Sequence, residues 1–112
     1  MYRVRLYKDK SGGSPIGDFI FSLSHQEKLK IVKQIKYLEI FGITKANPNL
    51  KKLVGTPLWE VRILGKNSLR IICVAVINDE VMILNIFKKK SNKTPLKELS
   101  LSISRYKESL DI

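Results

Sequence analysis

Three runs of β-forming residues follow one another almost without pause, at 58–64, 69–77 and 81–87, joined by Gly65-Lys66-Asn67-Ser68 and by Asn78-Asp79. Strands this closely spaced, with turn-type residues between them, pair with their neighbours as an antiparallel meander. Register then decides which side chains share a face. A two-residue turn at Asn78-Asp79 sets Ile77 opposite Glu80, Arg70 opposite Phe87, Ile72 opposite Asn85 and Val74 opposite Ile83. One face of that pair carries Ile71, Cys73, Ala75 and Ile77 with Met82, Leu84 and Ile86, and reads as the core face. Trp59, Val61 and Ile63 join it only if the first hairpin has an odd-numbered loop, Gly65-Lys66-Asn67 closed by Leu64 and Ser68. An even loop would turn a large aromatic away from the core, which is costly. The odd loop also sets Arg62 beside Arg70 on the opposite face, with Glu60 two residues away.

The rest of the chain supplies helices to cover such a sheet. Residues 2–7 alternate as a half-buried strand, with Val4 and Leu6 on one side and Arg3, Arg5 and Tyr7 on the other. Pro15 suits the first turn of a short helix through Phe21. Ser24-His25-Gln26-Glu27 has capping-box spacing and opens a second helix, with Ile31, Ile35 and Leu38 on its apolar stripe and Phe41 as a candidate to extend it, Lys28, Lys30, Lys33 and Lys36 off it, and Gly42 at its stop. Residues 44–57 read as an irregular connection. A last helix begins near Thr94-Pro95, with a stripe of Leu96, Leu99, Ile103, Tyr106 and Leu110. The expected fold is therefore an α+β protein of order β-α-α-β-β-β-α. Its mainly antiparallel, twisted sheet carries the two N-terminal helices on its core face and the C-terminal helix on the other side.

A chain of 112 residues that is 44% hydrophobic is one globular domain, 1–112, rather than a disordered tail. No stretch approaches the roughly 20 apolar residues of a membrane span, and the first residues lack a signal-peptide core, so a cytoplasmic location is expected. Cys73 is the one cysteine, which rules out an internal disulfide. Twenty-one Lys and Arg against ten Asp and Glu give a formal charge of +11, which draws a small protein towards polyanions, nucleic acid above all.

Chemistry has few places to reside. No Walker-type loop, G-x-G-x-x-G, C-x-x-C or H-x-x-x-H occurs, so neither a metal nor a small-molecule cofactor is expected. The sole histidine, His25, falls in the first turn of a helix, and Cys73 falls in a core strand. Arg62 and Arg70 side by side are a poor arrangement unless an anion joins them, and guanidinium groups bind phosphate bidentately. Lys88, Lys89 and Lys90 follow the strand that pairs with Arg70. Such a set fits metal-free cleavage of RNA by its own 2′-hydroxyl, with Glu60 as a candidate base; equally, it reads as solvated strand residues and a basic turn.

Leu58-Trp59-Glu60-Val61-Arg62, Leu69-Arg70-Ile71, Ile86-Phe87-Lys88-Lys89-Lys90, Lys93-Thr94-Pro95 and Glu98-Leu99, in that order, resemble the HigB-like, phage-associated branch of the RelE/ParE toxin superfamily. Element order extends the likeness over residues 2–110, while the motifs themselves are confined to 58–99. The resemblance implies a RelE-like fold, ribosome-dependent messenger-RNA cleavage without a metal, and neutralisation by a cognate antitoxin, often of helix-turn-helix type. By position it matches Arg62 and Arg70 to basic active-site residues and sets Lys88–Lys90 where the family's later basic residues fall. With Glu60 from the sheet face, the catalytic candidates are Arg62, Arg70, Lys89 and Glu60, and the RNA-binding ones Lys88, Lys90 and Lys93. Some relatives use a histidine or tyrosine near the C-terminal end as acid or base, and no histidine follows His25 here. The alternative class is a partner-binding module without enzymatic activity, or a toxin directed at a protein such as gyrase.

Overall fold

The computed structural model describes residues 1–65, 68–89 and 93–110. Its elements are β1 (Arg3–Leu6), α1 (Pro15–Ser22), α2 (His25–Phe41), β2 (Leu50–Lys52), β3 (Trp59–Ile63), β4 (Leu69–Val76), β5 (Glu80–Lys88) and α3 (Leu96–Leu110). The five strands form one mixed sheet in the order β1-β5-β4-β3-β2, parallel between β1 and β5 and antiparallel elsewhere.

Local signals act where they were expected. The Ser14 hydroxyl accepts from the Gly17 amide at 3.2 Å, with Pro15 in the first turn of α1. Ser24 and Glu27 exchange both capping-box bonds, at 3.0 and 3.2 Å. Gly42 closes α2 at φ 68°, a backbone conformation that favours glycine, and a Cβ there would also displace the half-exposed Tyr2 ring, 2.6 Å away.

The β3–β4 hairpin has the odd-numbered connection, pairing Arg62 with Arg70 and Ile63 with Leu69; Lys66 and Asn67 of that connection lie outside the described residues. Arg70 faces Phe87 and Ile72 faces Asn85, also as expected. Beyond Ile72 the register slips by one. Cys73 pairs with Ile83, Val74 with Met82 and Val76 with Glu80, so the turn is Ile77-Asn78-Asp79, with Asn78 and Asp79 at positive φ. A β-bulge at Leu84 absorbs the extra residue. The carbonyl it displaces is not orphaned, because Arg105 of α3 donates to the Leu84 oxygen at 2.8 Å.

This bulge corrects the expected faces. Ile71, Cys73, Val81, Ile83 and Ile86 form the core under α1 and α2, with Trp59 packed against it. Met82 and Leu84 lie on the other side with Leu58, Ile72, Val74 and Phe87, under Leu99, Ile103 and Tyr106 of α3. Ile77 is in the turn and exposed. Trp59 and Ile71 therefore share a core that excludes Leu84. The sheet is buried on both faces, which is why its central strands read as nearly continuous apolar runs rather than as alternation. Two further expectations are corrected. Residues 50–52 form a strand, and Leu96 and Leu110 of α3 are exposed while Ser102, its hydroxyl bonded to the Glu98 carbonyl at 2.8 Å, takes the buried position.

Because Leu84 fills the α3 layer completely, Leu84→Ala should lower the unfolding free energy by about 2–5 kcal/mol. Urea denaturation would show this as a lower midpoint at unchanged slope. A loss under about 1 kcal/mol would mean that α3 is not packed on the sheet as described.

Candidate functional site

Strand alternation brings Glu60, Arg62, Arg70, Ile72, Asn85 and Phe87 to the α3 side of the sheet. Arg62 and Arg70 are direct cross-strand partners. One residue past β5, the Lys89 amide donates to the Ser68 carbonyl at 3.2 Å, extending the ladder and placing Lys89 on the same side as Phe87. The result is three cations around one carboxylate.

Glu60 has no solvent exposure, so its charge has to be satisfied within the protein. The Thr94 hydroxyl donates to its Oε2 at 2.6 Å, and Arg62 Nε approaches its Oε1 at 3.5 Å. Both carboxylate oxygens are thereby occupied. Thr94 comes from the segment leading into α3. The first turn of that helix is pinned across the sheet by Asn85, whose Nδ2 donates to Glu98 Oε1 at 3.0 Å.

Arg70 and Lys89 are treated differently. Arg70 is 5% exposed and Lys89 6%, and neither Arg70 Nε nor Lys89 Nζ has a hydrogen-bond partner among the described residues. Burial pushes the Lys89 ammonium below the usual lysine range; Glu60 opposes that shift, while Arg70, Arg62 and Lys51 reinforce it. Arg70 is shifted down by burial too, with Glu60 acting against the shift and Arg62 adding to it. Buried cationic donors without partners are rare and costly in a native fold, and an anion bonded to both would remove that cost. Phosphate has the charge and the oxygens to do so.

Not every candidate joins this cluster. Lys88 points to the opposite side of the sheet, its Nζ 3.5 Å from Glu27 Oε2 on α2. Lys90 lies outside the described residues, and Lys93 is exposed just before Thr94. Thr94, read from sequence as a helix-opening residue, contacts Glu60 instead. Lys51 faces the cluster electrostatically from β2, a strand whose Leu-Lys-Lys run has no periodicity to reveal it. Cys73 is fully buried, and desolvation pushes its thiol up to about 12, so it is chemically inert. His25 is exposed at the start of α2. A cleft of about 460 Å³ opens beside β1, lined by Arg5, Tyr7, Lys8 and Glu108 among others. Its central polar groups already satisfy each other, the Tyr7 hydroxyl donating to Glu108 at 2.9 Å. No group of three or more His, Cys, Asp or Glu among the described residues is placed to hold a metal ion.

A small, strongly basic α+β domain with an arginine pair across its central hairpin defines the class. A family model for phage-derived Gp49-like proteins (DUF891) matches residues 18–107. The chain belongs to that family, a RelE/ParE-like toxin family of toxin–antitoxin systems, and its five-stranded sheet with three helices is compatible with a RelE-like fold. Membership implies an antitoxin partner. No curated protein matches the sequence. Among the described residues, no helix is long and apolar enough to cross a membrane.

The unpartnered ammonium gives a sharp test. With the folded pKa of Lys89 depressed, the unfolded chain binds more protons in the window from that value up to the ordinary lysine pKa, so stability rises with pH through that window. Lys89→Met, apolar and of similar length, should melt higher than the parent at neutral pH and lose this alkaline gain. It should also lose most of the stabilisation that added inorganic phosphate gives the parent in thermal melts. A variant that melts lower, with its response to phosphate intact, would show that Lys89 is satisfied and no part of an anion site.

Proposed function

We propose that the chain is a HigB-like toxin that acts in the cytoplasm and cleaves messenger RNA on the ribosome, using side-chain cations where other nucleases use a metal. What chiefly supports this reading is the pair of buried, unpartnered donors, Arg70 Nε and Lys89 Nζ, beside Arg62 on one face of the sheet. In the proposed reaction the 2′-oxygen attacks the adjacent phosphorus and the bond to the 5′-oxygen breaks. A 2′,3′-cyclic phosphate and a free 5′-hydroxyl result. Arg62 and Arg70 donate to the non-bridging oxygens, where charge accumulates. Lys89, its pKa lowered by burial, protonates the departing 5′-oxygen. Glu60 is the carboxylate of the cluster and takes the 2′ proton on Oε2 as the 2′-oxygen attacks, the Thr94 hydroxyl releasing that oxygen when substrate is bound. Through Oε1 Glu60 also holds Arg62 in place and offsets the cations. Lys93, exposed just before Thr94, is a contact for the RNA backbone. Lys88 and Lys90 are proposed as further ones from their place in the lysine run, although Lys88 turns towards Glu27 on the other side of the sheet and Lys90 lies outside the described residues. An acidic segment of the antitoxin, laid over the arginines, would neutralise the same charge that binds RNA, so that complex should loosen as salt rises.

Loss of one well-placed donor to a developing oxyanion typically slows a reaction about 100- to 1,000-fold. Arg62→Ala and Arg70→Ala should each abolish growth arrest and cleavage of ribosome-bound message, with circular dichroism unchanged. Lys33→Ala, on α2 across the sheet, should remain toxic, and EDTA should leave cleavage by purified protein and ribosomes untouched. Full toxicity of Arg70→Ala, or inhibition by EDTA, would overturn the mechanism. Growth arrest with cellular RNA intact would instead favour a toxin that acts by binding a protein.

A further inference from the structure

Helix α2 is apolar on two opposite sides. Ile31, Ile35 and Leu38 face the core, while Leu29, Val32 and Ile40 form a row on the far side, at 56%, 43% and 56% exposure. The row is stepped as a helix ridge and runs about 16 Å along the axis. Phe21 of α1, 82% exposed, stands beside the N-terminal end of α2, with the Lys28 ammonium 5.0 Å from its ring. Other large exposed apolar residues, such as Val54, Leu64, Ile77 and Leu96, lie singly in loops or at a helix end, which is ordinary. Three large apolar residues on one outer helix face, with a lysine between the second and third, form a row rather than the single residues that ordinary surfaces scatter. Lys36 stands within the ridge and Lys33 beside it, both exposed, whereas the acids of α2, Glu27 and Glu39, are half-buried at its sides.

We infer that the outer ridge of α2 is a second anchor for the antitoxin, receiving an amphipathic helix whose apolar row is flanked by Asp or Glu. The inference rests on family membership and not on RNA cleavage. Apolar side chains at steps of three and four accept the ridge of another helix, and the lysines require acids opposite them. A second copy of this chain would bring lysines against lysines on a molecule already carrying +11. A membrane-surface helix carries its lysines on the polar side rather than within the apolar row. The ridge is separated from the arginine cluster by the whole sheet, so this anchor holds the partner without touching the proposed site.

The test uses the toxin in an Arg70→Ala background and the protein encoded by the reading frame beside its own. Leu29→Glu with Ile40→Glu should weaken that complex about 10- to 100-fold, the range expected for interface anchors, with the melting temperature unchanged. Lys33→Ala with Lys36→Ala should weaken it less and flatten its salt dependence. Because Cys73 is buried, Val32→Cys supplies a single reactive thiol, and the complex should slow its alkylation by maleimide about tenfold or more. Unchanged affinity of the double glutamate variant, equal alkylation rates, or no binding by the neighbouring protein would each overturn the inference. Dimerisation of the chain through this ridge, or its binding to phosphatidylglycerol vesicles, would do the same. None of these readouts depends on RNA cleavage, so the inference and the nuclease reading can fail separately.

Discussion

A carboxylate with no access to solvent is the constraint around which the α3 side of this domain is arranged. Glu60 sits in the middle of β3, where neutral apolar neighbours would leave its charge intolerable. Arg62 on the same strand and Thr94 from the approach to α3 occupy its oxygens. The consequences spread outwards from there. The arginine pair is tolerated across a hairpin that would otherwise repel itself, and the start of α3 is tied to the sheet where Asn85 can reach Glu98. Lys89 is drawn under the same roof. Yet one carboxylate does not balance three cations, and the remainder falls on Arg70 Nε and Lys89 Nζ, which have no hydrogen-bond partner among the described residues. The site is therefore part satisfied structure and part stored demand for an anion.

The bulge at Leu84 allows that site to coexist with a two-sided core. Between β3 and β4 an odd-numbered connection fixes Arg62 against Arg70, and the first half of the β4–β5 pairing follows from it. Were that register kept to the turn, Met82 and Leu84 would face α1 and α2, and the α3 layer would lack two of its largest side chains. The extra residue sends both to α3, while Val81 and Ile83 fill the other core. Arg105 captures the displaced carbonyl and also lies 5.1 Å from the Tyr7 ring, so one long side chain of α3 stabilises the irregularity and covers the edge of the first layer.

How much of this could be read from the sequence depended on whether the signal was local. The capping box at Ser24, the Gly42 stop and the odd hairpin loop are each decided by residues within a few positions, and each appears as expected. The half of the sheet that bears the arginines was legible for the same reason. The bulge was not, because Arg105, which stabilises it, is 21 positions away in sequence. Strand β2 was not, because three residues with no periodicity owe their conformation to β3 alone. Thr94 reads as the opening of a helix because Pro95 follows it, and only the fold reveals that its hydroxyl serves a carboxylate 34 residues earlier. Lys88 and Lys89 are adjacent in a lysine run, but strand alternation sends one to Glu27 and the other into the cluster. A run of like residues says nothing about such a division until the face is known.

The two sides of the sheet divide the protein's demands. On the α3 side, Arg70 and Lys89 are held where solvent screens them little, which costs stability and would strengthen the hold on the phosphate proposed to bind there. On the α2 side the sheet is covered by an uninterrupted apolar layer with ordinary caps, so the fold does not depend on the charged cluster being satisfied. That separation matters for a toxin. A partner that only matched charge over the arginines would compete directly with the RNA proposed to bind there, on terms that shift with salt. A partner anchored also by apolar contacts on α2 would keep its hold when the electrostatic part weakens, and would bring its acidic segment to the arginines at high effective concentration. On the anchor inferred above, the outer face of α2 is where an inhibitor would gain affinity without imitating the substrate proposed for the arginine face.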